Sequence, residues 1–122
     1  MSSLINQVTP LTRGIIWLVS DEIKPNTKVY GEIDYLLDGL LTANLNTEVD
    51  FSSRVLMGNN FDQPLWVMVI REIKTQELQS FASLFKSEFG PGNDIIVIDE
   101  SHSLAKIKTD LKGIASNLKV LQ

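Results

Sequence analysis

The chain has 122 residues, 43% of them hydrophobic and 21% charged, which is enough for one domain with its own core and not for two. A formal net charge of -4 argues against a nucleic-acid binder, whose phosphate contacts need a basic surface, and the lack of cysteine excludes disulfides, thiolate metal sites and a cysteine nucleophile. No apolar run approaches the roughly 18 residues that cross a bilayer, and Met1–Pro10 lacks the basic and apolar segments of a signal peptide, so a soluble, cytoplasmic chain with no membrane partner is expected.

Residues 1–12 are polar, with Pro10 near their end, and read as a flexible N-terminal arm ahead of a single α/β domain over 13–122. Ile15–Val19, with Trp17 at its middle, is a short apolar run of the kind that forms a buried strand. Lys24-Pro25-Asn26 then makes a turn, because proline blocks helix and strand alike. From Val29 to Asn44 the positions Ile33, Leu36, Leu37, Leu40, Leu41 and Leu45 recur at three- and four-residue steps. That spacing predicts one amphipathic helix with Glu32, Asp34 and Asp38 on its polar face. Gly39 inside it costs up to about 1 kcal/mol against alanine, which points to the close approach of a neighbouring element.

Arg54–Gly58 is a short strand, Asn59–Pro64 a turn, and Leu65–Ile70 the most hydrophobic strand of the chain. The helix that follows runs to about Phe89. Leu78, Phe81, Ala82, Phe85 and Phe89 form its buried stripe, and Gly90-Pro91-Gly92 stops it. Asp94–Ile98 is the next strand. Leu104, Ile107, Leu111, Ile114, Leu118 and Leu121 then predict a last helix, capped by Ser101 or Ser103. This stripe spans under three heptads, so packing on the domain's own sheet explains it better than a coiled coil does. The order β-α-β-β-α-β-α predicts an α/β fold, a mixed sheet with helices on both faces.

Charge is unevenly spread. Asp21–Asp50 holds seven acids against Lys24 and Lys28, while Ser101–Gln122 holds four lysines against Asp110 alone. Two solvated faces of opposite sign are the simplest account; the same asymmetry would also let copies of the chain meet acid to base.

One stretch carries a family likeness. It starts with the Ile15–Val19 strand and the loop Asp21-Glu22-Ile23-Lys24-Pro25. It continues through the helix pattern Ile33-Asp34-x-x-Leu37-x-Gly39-x-Leu41 and the two strands at Val55–Met57 and Leu65–Ile70. Over residues 13–115 this resembles the N-terminal, macro-like domain of the leucyl aminopeptidases. The match departs after Ile70, where Arg71-Glu72-Ile73-Lys74 replaces the Gly-rich turn usual in that family. The metal ligands and catalytic groups of those enzymes belong to a C-terminal domain that has no counterpart here, so the resemblance implies a fold and a non-catalytic role. Ser53–Gly58 followed by Gln63-Pro64-Leu65 is also similar to the small proteasome-assembly chaperones, which implies protein binding without chemistry.

Among chemistry-bearing residues, Asp99, Glu100 and His102 stand together just past a strand, where ligands of open α/β sheets gather. A divalent metal or a proton shuttle could use them. Acids before a helix N-terminus and a Ser cap account for the same residues more simply, and one histidine falls short of the usual ligand count. Gly90-Pro91-Gly92 runs from helix into strand, the reverse of a phosphate-cradling loop. Asp34 and Asp38, four apart, read as a solvated face. Trp17 and Trp66 are core residues by default and interface anchors if they face outward, and Leu118 marks the last helix as a docking surface. The functional expectation is a non-enzymatic, protein-binding domain (subunit, adaptor or assembly factor) with a protein partner, a homo-oligomer included, and with no cofactor or metal. The alternative is a macro-like small-ligand or nucleotide-binding domain, against which stands the lack of a Gly-rich loop at any strand-to-helix junction.

Overall fold

Among the described residues four of five strands lie parallel, and the central ones are apolar on both sides, as strands covered by helices on two faces must be. The computed structural model describes residues 3–20, 23–47, 53–60, 63–72, 75–90, 92–111 and 117–121. Asp21, Glu22, Ile73, Lys74, Pro91 and Ile114, which enter the sequence patterns above, lie outside the described residues. The elements are α1 (Leu4–Gln7), β1 (Thr12–Leu18), α2 (Lys28–Leu36), α3 (Leu40–Thr47), β2 (Ser53–Asn60), β3 (Gln63–Ile70), α4 (Thr75–Phe89), β4 (Asp94–Asp99), α5 (Leu104–Leu111) and β5 (Asn117–Leu121).

The sheet runs β2-β3-β1-β4-β5, with β2 antiparallel to β3 at one edge. β1 is central, Ile16 lying opposite Met68 of β3 and Val97 of β4. From β1 the chain steps sideways to β3, then back across β1 to β4 and onward to β5. Right-handed connections that step in opposite directions must use opposite faces. The two cores obey this rule. On the first face Ile15, Trp17, Val67, Val69, Ile96 and Ile98 meet Ile33, Leu36 and Leu41 of α2 and α3. On the second, Ile16, Leu18, Met68, Ile70, Ile95 and Val97 meet Phe81 and Phe85 of α4 and Ile107 of α5. The α/β class, the mixed sheet and the helices on both faces are therefore as the sequence indicates.

Four details differ from expectation. The helix predicted over 29–44 is two helices, because Asp38 (φ 55°) and Gly39 (φ 80°) take the left-handed conformation that ends α2. Asp34 then caps α3: its carboxylate accepts the Thr42 backbone N–H at 2.8 Å and the Thr42 hydroxyl at 2.7 Å. Gly39 has open space around it. The close approaches lie elsewhere, at Gly14, where a Cβ would meet Phe85 Cε2 at 2.8 Å, and at Gly58, where it would meet Leu37 Cδ2 at 3.0 Å.

Of the helix predicted to run to Leu121, Leu104–Leu111 is helical among the described residues, and Asn117–Leu121 is instead a strand, parallel to β4. Leu118 lies beside Ile95 and Leu121 beside Ile98, so each extends one of the two cores. Leucines three apart fit a helix stripe and opposite sides of a strand equally well, and sheet pairing decided the matter. This also removes the coiled-coil reading.

Residues 3–11, expected as a loose arm, dock on α2. Leu4 is 3% exposed. Glu32 accepts the Ser3 hydroxyl at 2.8 Å and the Ile5 backbone N–H at 3.0 Å. Glu32, placed by its sequence position on the polar face, is thus 9% exposed, because the N-terminal segment covers it.

Candidate functional site

β1 sends its connection to the first face of the sheet, and the neighbouring strand β4 sends α5 to the second. Where adjacent strands diverge in this way, their carboxyl ends leave a crevice that no connection fills. A cavity of about 270 Å³ lies at that position, lined by Trp17, Val19, Ser20, Ile23, Lys24, Thr27 and Glu100.

The walls follow from local structure. Val19 and Glu100 continue the strand pairing past the ends of β1 and β4, their N–H groups bonding the Ile70 and Leu18 carbonyls at 2.9 Å. Thr27 caps α2, its hydroxyl accepting the Tyr30 N–H and donating to the Lys24 carbonyl at 2.9 Å, which fixes the Lys24 end of the loop. Glu100 Oε1 accepts the indole N–H of Trp17, whose ring is otherwise sealed in the core at 2% exposure. The carboxylate is thereby held in one orientation at the mouth of the crevice. Among the described residues, no ion pair joins Lys24 to Glu100.

The cluster read as Asp99, Glu100 and His102 is divided among three environments. Asp99 is buried, and its carboxylate accepts the N–H groups of Ser103 at 3.0 Å and Leu104 at 3.2 Å, so it caps α5 from the last position of β4. Ser101 and Ser103 share a hydroxyl–hydroxyl hydrogen bond beside it. His102 adopts φ 57° and is exposed to solvent. Glu100 alone faces the crevice. Among the described residues no three His, Asp or Glu side chains converge as a metal site. Asp34 serves as the α3 cap, while Asp38 ends α2 at φ 55°.

Of the residues named for an interface, Trp17 faces inward and belongs to the core. Trp66 is half-buried against α4, its ring 5.4 Å from Phe89 and 6.2 Å from Phe81 in tilted or edge-on contacts, and Leu118 is half-buried against the same core. Exposed apolar groups stand elsewhere, singly at Leu11, Tyr35 and Leu84 and as a pair on β2. Val55 and Met57 lie opposite Met68 and Trp66 on the second face, beyond the reach of α4, at 43% and 61% exposure. Sequence reasoning missed Ser20, Lys24 and Thr27, whose shared position appears only once the strand order is known. It missed Val55 and Met57 because their alternation around Leu56 reads as strand without saying which end of the sheet a helix leaves bare.

Comparison with protein-family models, with curated proteins and with solved structures finds no match to this chain.

Proposed function

We propose that this chain is a non-enzymatic protein-binding domain that receives its partner along β2. The observation that carries this reading is an eight-residue edge strand that has, among the described residues, no strand on its outer side and whose Val55 and Met57 project uncovered next to Trp66. Edge strands are ordinarily kept short or guarded by proline and charge, because an open edge is a template for another strand. A long edge without proline, carrying two apolar side chains on one face, suits β-augmentation, in which main-chain bonds give affinity and the side chains give selectivity. The resemblance to a macro-like, non-catalytic aminopeptidase domain and to assembly chaperones implies the same kind of role. The test is capture from the native cell extract with wild-type chain and with Val55→Lys/Met57→Lys, both positions facing solvent so that the fold is retained. A partner held by the wild type and released by the variant is expected; identical eluates would overturn the reading.

A second reading, small-ligand binding, is favoured by the crevice between β1 and β4. Its about 270 Å³ lies just under the roughly 300–1,000 Å³ of sites for drug-sized molecules, so the ligand is smaller than a dinucleotide.

A further inference from the structure

The crevice offers four kinds of surface within one small volume. Glu100 supplies a carboxylate steered by the Trp17 indole; one of its oxygens accepts that N–H, and a carboxylate has acceptor capacity beyond one such bond. Lys24 supplies a cation on a loop end fixed by Thr27. Val19 and Ile23 supply an aliphatic wall, and the Ser20 hydroxyl a further donor or acceptor. Lys24 and Glu100 form no ion pair with each other, so among the described lining residues one charge of each sign is open to a ligand. A phosphorylated or dicarboxylic ligand would set net negative charge against Glu100, and a polyamine would set positive charge against Lys24. Electrostatic complementarity favours a ligand that carries both signs.

We propose that the β1/β4 crevice binds a small zwitterion of the α-amino-acid class, its ammonium on Glu100, its carboxylate on Lys24 and an aliphatic side chain on Val19 and Ile23. The volume suits this class, and the location is the one where open α/β sheets bind ligands. The inference rests on the ligand-binding reading of the crevice and stands apart from the role of β2.

Melting temperature and tryptophan fluorescence of the full chain would be recorded with millimolar leucine, valine, glycine, succinate, a nucleoside monophosphate and spermidine. A Trp66→Phe background isolates the Trp17 signal. Leucine or valine should raise the melting temperature, because only the folded state holds the ligand, and should shift Trp17 emission. Glu100→Gln, which keeps an acceptor for the indole while removing the charge, should weaken binding about tenfold or more, and Lys24→Gln should do the same. Binding of succinate, the nucleotide or spermidine in place of the amino acids would overturn the zwitterion and leave the crevice a ligand site. No response to any compound would overturn both.

Discussion

On the second face of the sheet one fifteen-residue helix, α4, lays Leu78, Phe81 and Phe85 on the strands with Trp66 and Phe89 edge-on at its flank, and α5, capped by Asp99, adds Ile107 beside it. On the first face three shorter helices share the cover, and carboxylates fasten them. Glu32 ties α1 to α2, Asp34 ties α2 to α3, and Glu100 ties the loop after β4 to Trp17. The difference is one of mechanism. Apolar burial is proportional to area and indifferent to which partner supplies it, so α4 needs only the right periodicity. A carboxylate tie needs particular donors at particular distances, and for Glu32, the buried one of the three, losing them costs stability. Under α4 the second face is therefore robust in kind and sensitive to volume. The first face is sensitive to single hydrogen bonds, and it is the one that borders the crevice.

The largest expected effect is on the second face. Phe85 is fully buried, with its ring 5.8 Å from Phe81 and 5.0 Å from Phe89. Phe85→Ala should lower unfolding free energy by about 3–5 kcal/mol, measured by urea denaturation, with Phe85→Leu as the milder variant if the first does not fold. Adding Gly14→Ala sharpens the result. In the wild type a Cβ at Gly14 would sit 2.8 Å from Phe85 Cε2, whereas removal of the Phe85 ring gives it room. Gly14→Ala should thus cost less in the Phe85→Ala background than alone; equal costs would mean the strand, not the ring, rejects the methyl group.

A smaller and more local effect belongs to the first face. Glu32→Ala removes the acceptor for the Ser3 hydroxyl and the Ile5 N–H, at an expected cost of about 1–3 kcal/mol. The measurement that separates it from a general loss is hydrogen exchange. The Ile5 amide should lose its protection while the amides of β1 and β4 keep theirs. Uniform loss across the sheet would show that the docked segment is part of the cooperative core, and the contrast between the faces would then fail.

The two faces also differ in how far the sequence foretold them. Strands β1, β3 and β4 and helix α4 are legible because runs of Ile and Val and an apolar stripe bounded by Gly90 are local signals. Asp99 beside the start of α5 was legible for the same reason, a carboxylate next to a helix N-terminus. The Glu32 clamp was not, since its partners lie 29 and 27 residues away and no period marks them. The Trp17–Glu100 bond spans 83 residues. The crevice inherits that distance: Ser20, Lys24 and Thr27 are ordinary turn residues until the order β3-β1-β4 sets them beside Glu100. Strand β5 was hidden because Leu118 and Leu121 satisfy both periods.

The smallest change tests the corner between α2 and α3, at a glycine that no neighbour crowds. Nothing lies within 4 Å of a Cβ placed on Gly39, so Gly39→Ala meets no neighbour. Its cost is the backbone alone, about 1–2 kcal/mol for holding an L-residue at φ 80°. A loss of that size with unchanged far-ultraviolet circular dichroism would show that the Asp34–Thr42 cap holds the corner against the propensity of the sequence. If helicity instead rises and stability does not fall, α2 and α3 have fused into the single helix that the leucine spacing alone predicts. The cap would then be a consequence of Gly39 and not the cause of the break.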